Sequence, residues 1–268
     1  MKFGLKLWSI NDNYRKEAIR LYKQGIYYYI ELYAVPRTYD THINLWKDIG
    51  IPFVVHAPHF REGLNLAKKE KKTNNMLLIS ETIKFADTLR ADKIIVHPGT
   101  SGDISETVHQ LEEIDDRRIL IENKPYYAID DGLICNGASV EEIKFVLDNV
   151  SVGFCLDIGH AICSANAKKV EPFEYLKRFM KLNPIMYHLT DGDYESIYDR
   201  HAHFGTGNYD IEKFSSILPE DCFVTIETLK DSGESLSDFE ADIRWLRYMR
   251  KGYRMEKLKK GNCNVKTG

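Results

Sequence analysis

Ile94-Ile95-Val96-His97-Pro98-Gly99 sets three β-branched aliphatic residues directly against a histidine and a Pro-Gly turn. A short run that is apolar at every position is the pattern of a strand covered on both faces. A strand with one face in water would alternate. Phe53-Val54-Val55 runs in the same way into His56, Ile119-Leu120-Ile121 into Glu122, and Phe154-Cys155-Leu156 into Asp157. Working outward from these, the chain predicts strands over Lys2–Leu7, Tyr27–Tyr33, Phe53–His56, Lys93–His97, Ile119–Glu122, Gly153–Asp157, Ile185–Leu189 and Phe223–Glu227.

The segments between them carry apolar residues at helical spacing. Tyr14, Ala18 and Leu21 share one face, as do Leu78, Phe85 and Leu89, and again Leu236, Phe239, Ile243 and Leu246. Strands alternating with helices make right-handed β-α-β units on a parallel sheet, and eight units close a barrel. An open doubly wound sheet is the competing architecture. It wants a glycine-rich phosphate loop after the first strand, where this chain has Trp8-Ser9-Ile10-Asn11-Asp12. The expected fold is therefore α/β, a single (β/α)8 TIM barrel over residues 1–251, followed by a polar tail over 252–268.

No window approaches the roughly 18 consecutive apolar residues of a membrane span, and Met1–Leu7 has no signal-peptide pattern. The expectation is a water-soluble cytoplasmic protein with no membrane partner. Its five cysteines, Cys135, Cys155, Cys163, Cys222 and Cys263, are scattered without a C-x-x-C pair, which argues against a disulfide framework or a thiolate zinc site. A net charge of −3 argues against indiscriminate binding to nucleic acid by bulk electrostatics but leaves room for a local basic rim.

The histidines carry the functional signal. His42 and His109 fall in predicted helices, whereas His56, His59, His97, His160, His188, His201 and His203 lie at or just past strand ends. In this architecture the C-terminal strand ends form one rim around a common mouth, so side chains scattered in sequence meet there. Glu122, Asp157 and Glu227 reach the same level. A carboxylate directly after a buried apolar run carries a large desolvation cost unless a cation offsets it. Imidazole and carboxylate together suit Zn2+ or Mn2+.

Along Val55-His56-Ala57-Pro58, Val96-His97-Pro98-Gly99, Ile121-Glu122-Asn123, Leu156-Asp157-Ile158-Gly159-His160, Tyr187-His188-Leu189-Thr190-Asp191, Asp199-Arg200-His201 and Ile226-Glu227-Thr228, the chain resembles a known group. This is the superfamily of endonuclease IV and the xylose isomerase-like barrels, also called the type 2 AP endonucleases. The resemblance implies up to three zinc ions. His56 and His97 would hold one, Glu122 would bridge it to a second held by Asp157, His188 and Glu227, and His160, Asp199 and His201 would hold the third. It also implies hydrolysis of DNA 5′ to abasic sites, with Glu122 or Glu227 orienting or deprotonating the attacking water. Arg37, His59, Phe60, Arg61, Lys124 and Arg200 are then candidates for contact with the substrate, His59-Phe60 standing where the endonuclease branch carries its DNA-wedging pair.

The sugar isomerase and epimerase branch of the same superfamily is the alternative. It uses counterparts of Glu122, Asp157, His188 and Glu227 around one divalent metal, the two glutamates moving a proton on a bound sugar. Glu31 at the end of strand two resembles that branch, and Lys124-Pro125-Tyr126-Tyr127 departs from the small residues of the endonuclease branch.

Overall fold

The computed structural model describes residues 1–129 and 132–249; the tail expected over 252–268, and Cys263 with it, lies outside them. Eight strands, β1 (Lys2–Trp8), β2 (Tyr29–Tyr33), β3 (Phe53–His56), β4 (Ile94–Val96), β5 (Ile119–Glu122), β6 (Gly153–Asp157), β7 (Met186–Leu189) and β8 (Phe223–Ile226), close into a barrel in sequence order. Every neighbouring pair is parallel, and β1 pairs with β8 to complete the ring.

The helices α1 (Arg15–Lys23), α2 (Tyr39–Trp46), α3 (Lys72–Leu89), α4 (Ile104–Ile114), α5 (Val140–Asn149), α6 (Ile158–Ala167), α7 (Pro172–Met180) and α8 (Ile211–Ser216) connect the strands, and residues 237–249 form a last helix after β8. The β6–β7 connection holds two helices where the pattern predicts one. Glu171 accepts a hydrogen bond from the Glu174 amide (2.6 Å) and Pro172 occupies the first turn, so the chain restarts a helix there. Among the described residues no helix is long and apolar enough to cross a membrane.

Two apolar clusters follow from the period of two along a strand. Outward-facing Ile30, Val55, Ile94, Val96, Ile121, Leu156 and Val224 pack with the helices in the larger one. Tyr29, Val54, Ile95, Leu120, Cys155 and Met186, with Phe223 against them, form a separate small cluster that plugs the barrel. Counting two residues on from these plug positions gives Glu31, His56, His97, Glu122, Asp157, His188 and Thr225. The strand register sets members of this polar set side by side, Asp157 next to His188 and His188 next to Thr225. The polar layer is therefore the continuation of the packed interior toward the C-terminal rim.

Gly4 makes the plug possible. A Cβ there would lie 2.3 Å from the Tyr29 ring, which is buried and hydrogen-bonded through its hydroxyl to Thr225 Oγ1 (2.9 Å). Gly4→Ala is expected to destabilise the protein by about 1–3 kcal/mol, read as a lower midpoint in urea at unchanged slope. An unchanged midpoint would mean that the Tyr29 ring is free to move.

Candidate metal centre

Each strand end delivers its side chain for a local reason. His56 and Glu122 are the last residues of β3 and β5, while His97 and Glu227 stand one residue beyond β4 and β8. Asp157 closes β6 and at once caps α6, accepting a hydrogen bond from the His160 amide (2.7 Å), so that His160 is placed in the first helical turn beside it. Asp199 and His201 come from the β7–α8 connection, where His201 adopts a left-handed backbone (φ 50°) and its amide donates to Asp199 Oδ1 (3.0 Å).

These residues meet around Glu122, which is 1% exposed. Its Oε2 lies 3.2 Å from His56 Nε2, 3.0 Å from His97 Nε2 and 3.6 Å from His188 Nδ1, and its Oε1 lies 3.1 Å from His160 Nδ1. Ligand-type atoms close together define three groups built from the expected residues: His56, His97 and Glu122; Glu122, Asp157 and His188; and His160, Asp199 and His201. A further group, Glu31, His188 and Glu227, shares His188 with the second.

The chemistry of these contacts fits a cation better than protons. His56 Nδ1–H donates to the Ala57 carbonyl (2.7 Å), so in the neutral ring Nε2 is an acceptor, and it faces another acceptor in Glu122 Oε2. Burial, helped by the nearby Lys6 ammonium, pushes the His56 pKa down and keeps the ring neutral. His188 Nδ1, Asp199 Oδ2 and His201 Nδ1 are buried with no hydrogen-bond partner, and each is aimed at the cluster. A divalent ion shared among such atoms satisfies lone pairs that protons leave unsatisfied.

The charges are arranged accordingly. Burial alone would raise the carboxyl of Glu122, but the neighbouring His97 and His188 outweigh it and hold it well below the usual range. Asp157 goes the other way: burial, reinforced by Asp199 and Glu122 against the opposing His160, pushes it up to about 6. A metal ligand must shed its proton, so a metal held by Asp157 would bind more tightly as pH rises and this carboxyl ionises, and would be lost as pH drops through about 6. Zinc titrations between about pH 5 and pH 7.5 are expected to show this loss on the acid side. A flat profile would separate Asp157 from the bound ion.

The cavity over the cluster measures about 420 Å³, and Trp8, Tyr33, His59, Lys124, Leu229 and Lys230 form part of its wall. Of the candidate substrate contacts, His59 stacks on His97 (ring centroids 5.8 Å, 6° between planes), and Lys124 Nζ approaches His97 Nε2 at 3.5 Å. Phe60 is half-buried beside His59 and lies outside the cavity wall. Arg61 donates to the Ile129 carbonyl (2.5 Å), tying the β3 loop to the β5 loop. Arg37 lines a different groove with Glu62, Asn74 and Glu81, and Arg200 is exposed outside the cavity wall. His203 stays out of the cluster because Asp242 accepts from its Nδ1–H at 2.8 Å and Asp231 lies 3.2 Å from its Nε2.

Lys6 is the functional residue that the sequence reading does not single out. From inside β1 its ammonium reaches both Glu31 Oε1 and Glu227 Oε1, the latter at 2.7 Å. It faces inward in the structure, two residues on from Gly4 on the same strand face.

A closed parallel barrel with histidines and carboxylates gathered at its C-terminal mouth defines a class of protein, the (β/α)8 barrels with a candidate metal site at the rim. Within that class, the sequence profile of the xylose isomerase-like TIM barrels matches residues 6–249, and the chain belongs to that family. Its relatives include a probable endonuclease 4 of Aquifex aeolicus (strain VF5), 30% identical over 223 residues that span 73% of this chain and 77% of that protein. In three dimensions it is similar to endonuclease IV from Thermus thermophilus (TM-score 0.72, 18% identity, 94% of this chain and 100% of that one). A D-tagatose 3-epimerase-like protein is similar as well (TM-score 0.68, 20% identity, 96% of this chain and 99% of that one).

Proposed function

We propose that the protein is a metal-dependent phosphodiester hydrolase of the endonuclease IV kind, cutting DNA 5′ to abasic sites. The observation that carries this reading is the full ligand set. Nine side chains, His56, His97, Glu122, Asp157, His160, His188, Asp199, His201 and Glu227, reach one mouth, in groups of which two share Glu122 and two share His188. A one-metal site has no use for His56, His97, Asp199 and His201 together. The probable endonuclease 4 relatives support the same reading.

Zn2+ or Mn2+ bound by these residues supplies an activated water and charge neutralisation for the phosphate. The chain's own residues do the rest. Glu122, enclosed by four histidines, would hold the metal, which leaves Glu227, with Oε2 toward His201, as the carboxylate that would take or orient a proton. Lys124, at the cavity wall beside His97, offers a cation to a phosphate, and His59, Tyr33 and Trp8 offer ring faces to a sugar or base.

Purified protein should nick a duplex carrying a single abasic site and stop doing so when a chelator is added. Intact duplex after incubation with zinc- and manganese-loaded protein would reject the assignment.

One observation favours a second reading, a sugar isomerase or epimerase. Glu122, Asp157 and His188 form a self-sufficient site for one ion under a cavity of about 420 Å³, a volume suited to a small ligand. Interconversion of ketoses by a preparation that leaves abasic DNA whole would establish it.

A further inference from the structure

We propose that Glu31, with Lys6 as its counter-charge, is the positioning residue that decides which nitrogen His188 presents to the metal centre; this rests on the reading of the site as a metal centre. The clustered histidines do not all present the same atom. His56 donates Nδ1–H to the Ala57 carbonyl (2.7 Å), which turns Nε2 toward Glu122 Oε2, and His97 also faces that oxygen through Nε2 (3.0 Å). His188 is reversed. Its Nε2 lies 2.9 Å from Glu31 Oε2, and its Nδ1 looks into the cluster, 3.1 Å from Glu227 Oε1, 3.6 Å from Glu122 Oε2 and 3.9 Å from Asp157 Oδ2. An ionised carboxylate only accepts, so Glu31 fixes the proton on Nε2 and leaves the Nδ1 lone pair for an ion.

Glu31 is itself fully buried and is held by three donors. The Thr225 hydroxyl and His188 Nε2–H both go to Oε2, and the Lys6 ammonium goes to Oε1. Without Lys6 it would be a carboxylate in the barrel interior held only by the neutral donors of Thr225 and His188. The same ammonium holds Glu227 Oε1 at 2.7 Å, leaving Oε2 to face His201. Lys6 therefore occupies the space between Glu31 and Glu227, and one ammonium sets the orientation of two side chains facing the cluster, His188 on β7 and Glu227 just beyond β8.

The test measures zinc affinity by competition with a chromophoric chelator, on the full chain, so that it does not depend on turnover. Comparing Glu31→Gln with Glu31→Leu, both in a Lys6→Met background so that no ammonium is left unpaired, isolates the acceptor at position 31. Glutamine keeps a carbonyl for His188 Nε2–H and is expected to bind within about threefold of Lys6→Met, whereas leucine should weaken one zinc ion by about 10–100-fold. Glu31→Leu with Lys6 intact should show the same loss. Equal affinity for the glutamine and leucine variants overturns the proposal. If the leucine variants do not fold, 15N spectra of the zinc-loaded wild type decide, since the proposal requires the proton of His188 on Nε2 and is overturned by a proton on Nδ1. A wild type that binds no zinc would instead remove the metal reading itself.

Discussion

Glu122→Ala is expected to strip the protein of at least one tightly held ion and to lower phosphodiester hydrolysis by roughly 10³-fold or more, because losing several kcal/mol of cationic stabilisation costs a factor of ten for each ~1.4 kcal/mol. No other carboxylate in the cluster is so placed. It lies within 3.2 Å of His56, His97 and His160 and 3.6 Å of His188, contacts that span both histidine-rich halves of the site. Alanine leaves those imidazoles facing one another across a gap without the negative charge that draws cations to them. Circular dichroism of the variant should match the wild type, because the barrel plug of Tyr29, Val54, Ile95, Leu120, Cys155 and Met186 lies one layer below and is untouched. A variant that keeps its metal complement and its activity would contradict the bridging role.

His201 provides the second large effect, and it separates the two readings of function. With Asp199 and His160 it forms the group that a one-metal sugar isomerase does not need. The informative substitution is His201→Asn, since His201 has a left-handed backbone (φ 50°) that asparagine tolerates better than alanine, and backbone strain is thus kept out of the result. For the hydrolase, hydrolysis should fall by roughly 10²-fold or more, with one ion fewer per chain. For the isomerase, ketose turnover should change by less than about threefold and the ion held by Glu122, Asp157 and His188 should remain.

Much of the barrel was legible because buried parallel strands write themselves as unbroken apolar runs. Phe53–His56, Ile119–Glu122 and Gly153–Asp157 are strands over the expected residues. The positions of His56, His97, Glu122 and Asp157 were legible for the same reason, since each ends such a run and the fold carries run ends to one rim, whereas His160 lies in α6 and Asp199 and His201 in the β7–α8 connection. The ionic pairing beneath them was not. Lys6 and Glu227 are 221 residues apart, and Gly4-Leu5-Lys6-Leu7-Trp8 alternates as a strand with one wet face does, so the lysine reads as solvent-facing until β1 is placed next to both β2 and β8.

Loop residues were the least legible, because a loop's path is set by packing that the local pattern does not encode. Arg37 follows β2 closely, yet its loop hydrogen-bonds through the Arg37 and Tyr39 amides to Glu81 on α3, which leaves Arg37 lining the groove there. His203, two residues beyond His201, is drawn away by Asp242 on the last helix. The second helix between β6 and β7 was announced only by Pro172 after an acidic cap residue.

The central claim, that side chains distant in sequence are gathered around shared divalent cations, is tested most directly by elemental analysis of the protein purified without added metal and again after reconstitution with zinc and with manganese. The predicted result is more than one ion per chain, released by a chelator and lost in Glu122→Ala. A metal content near zero in every preparation, with the fold intact, would contradict it.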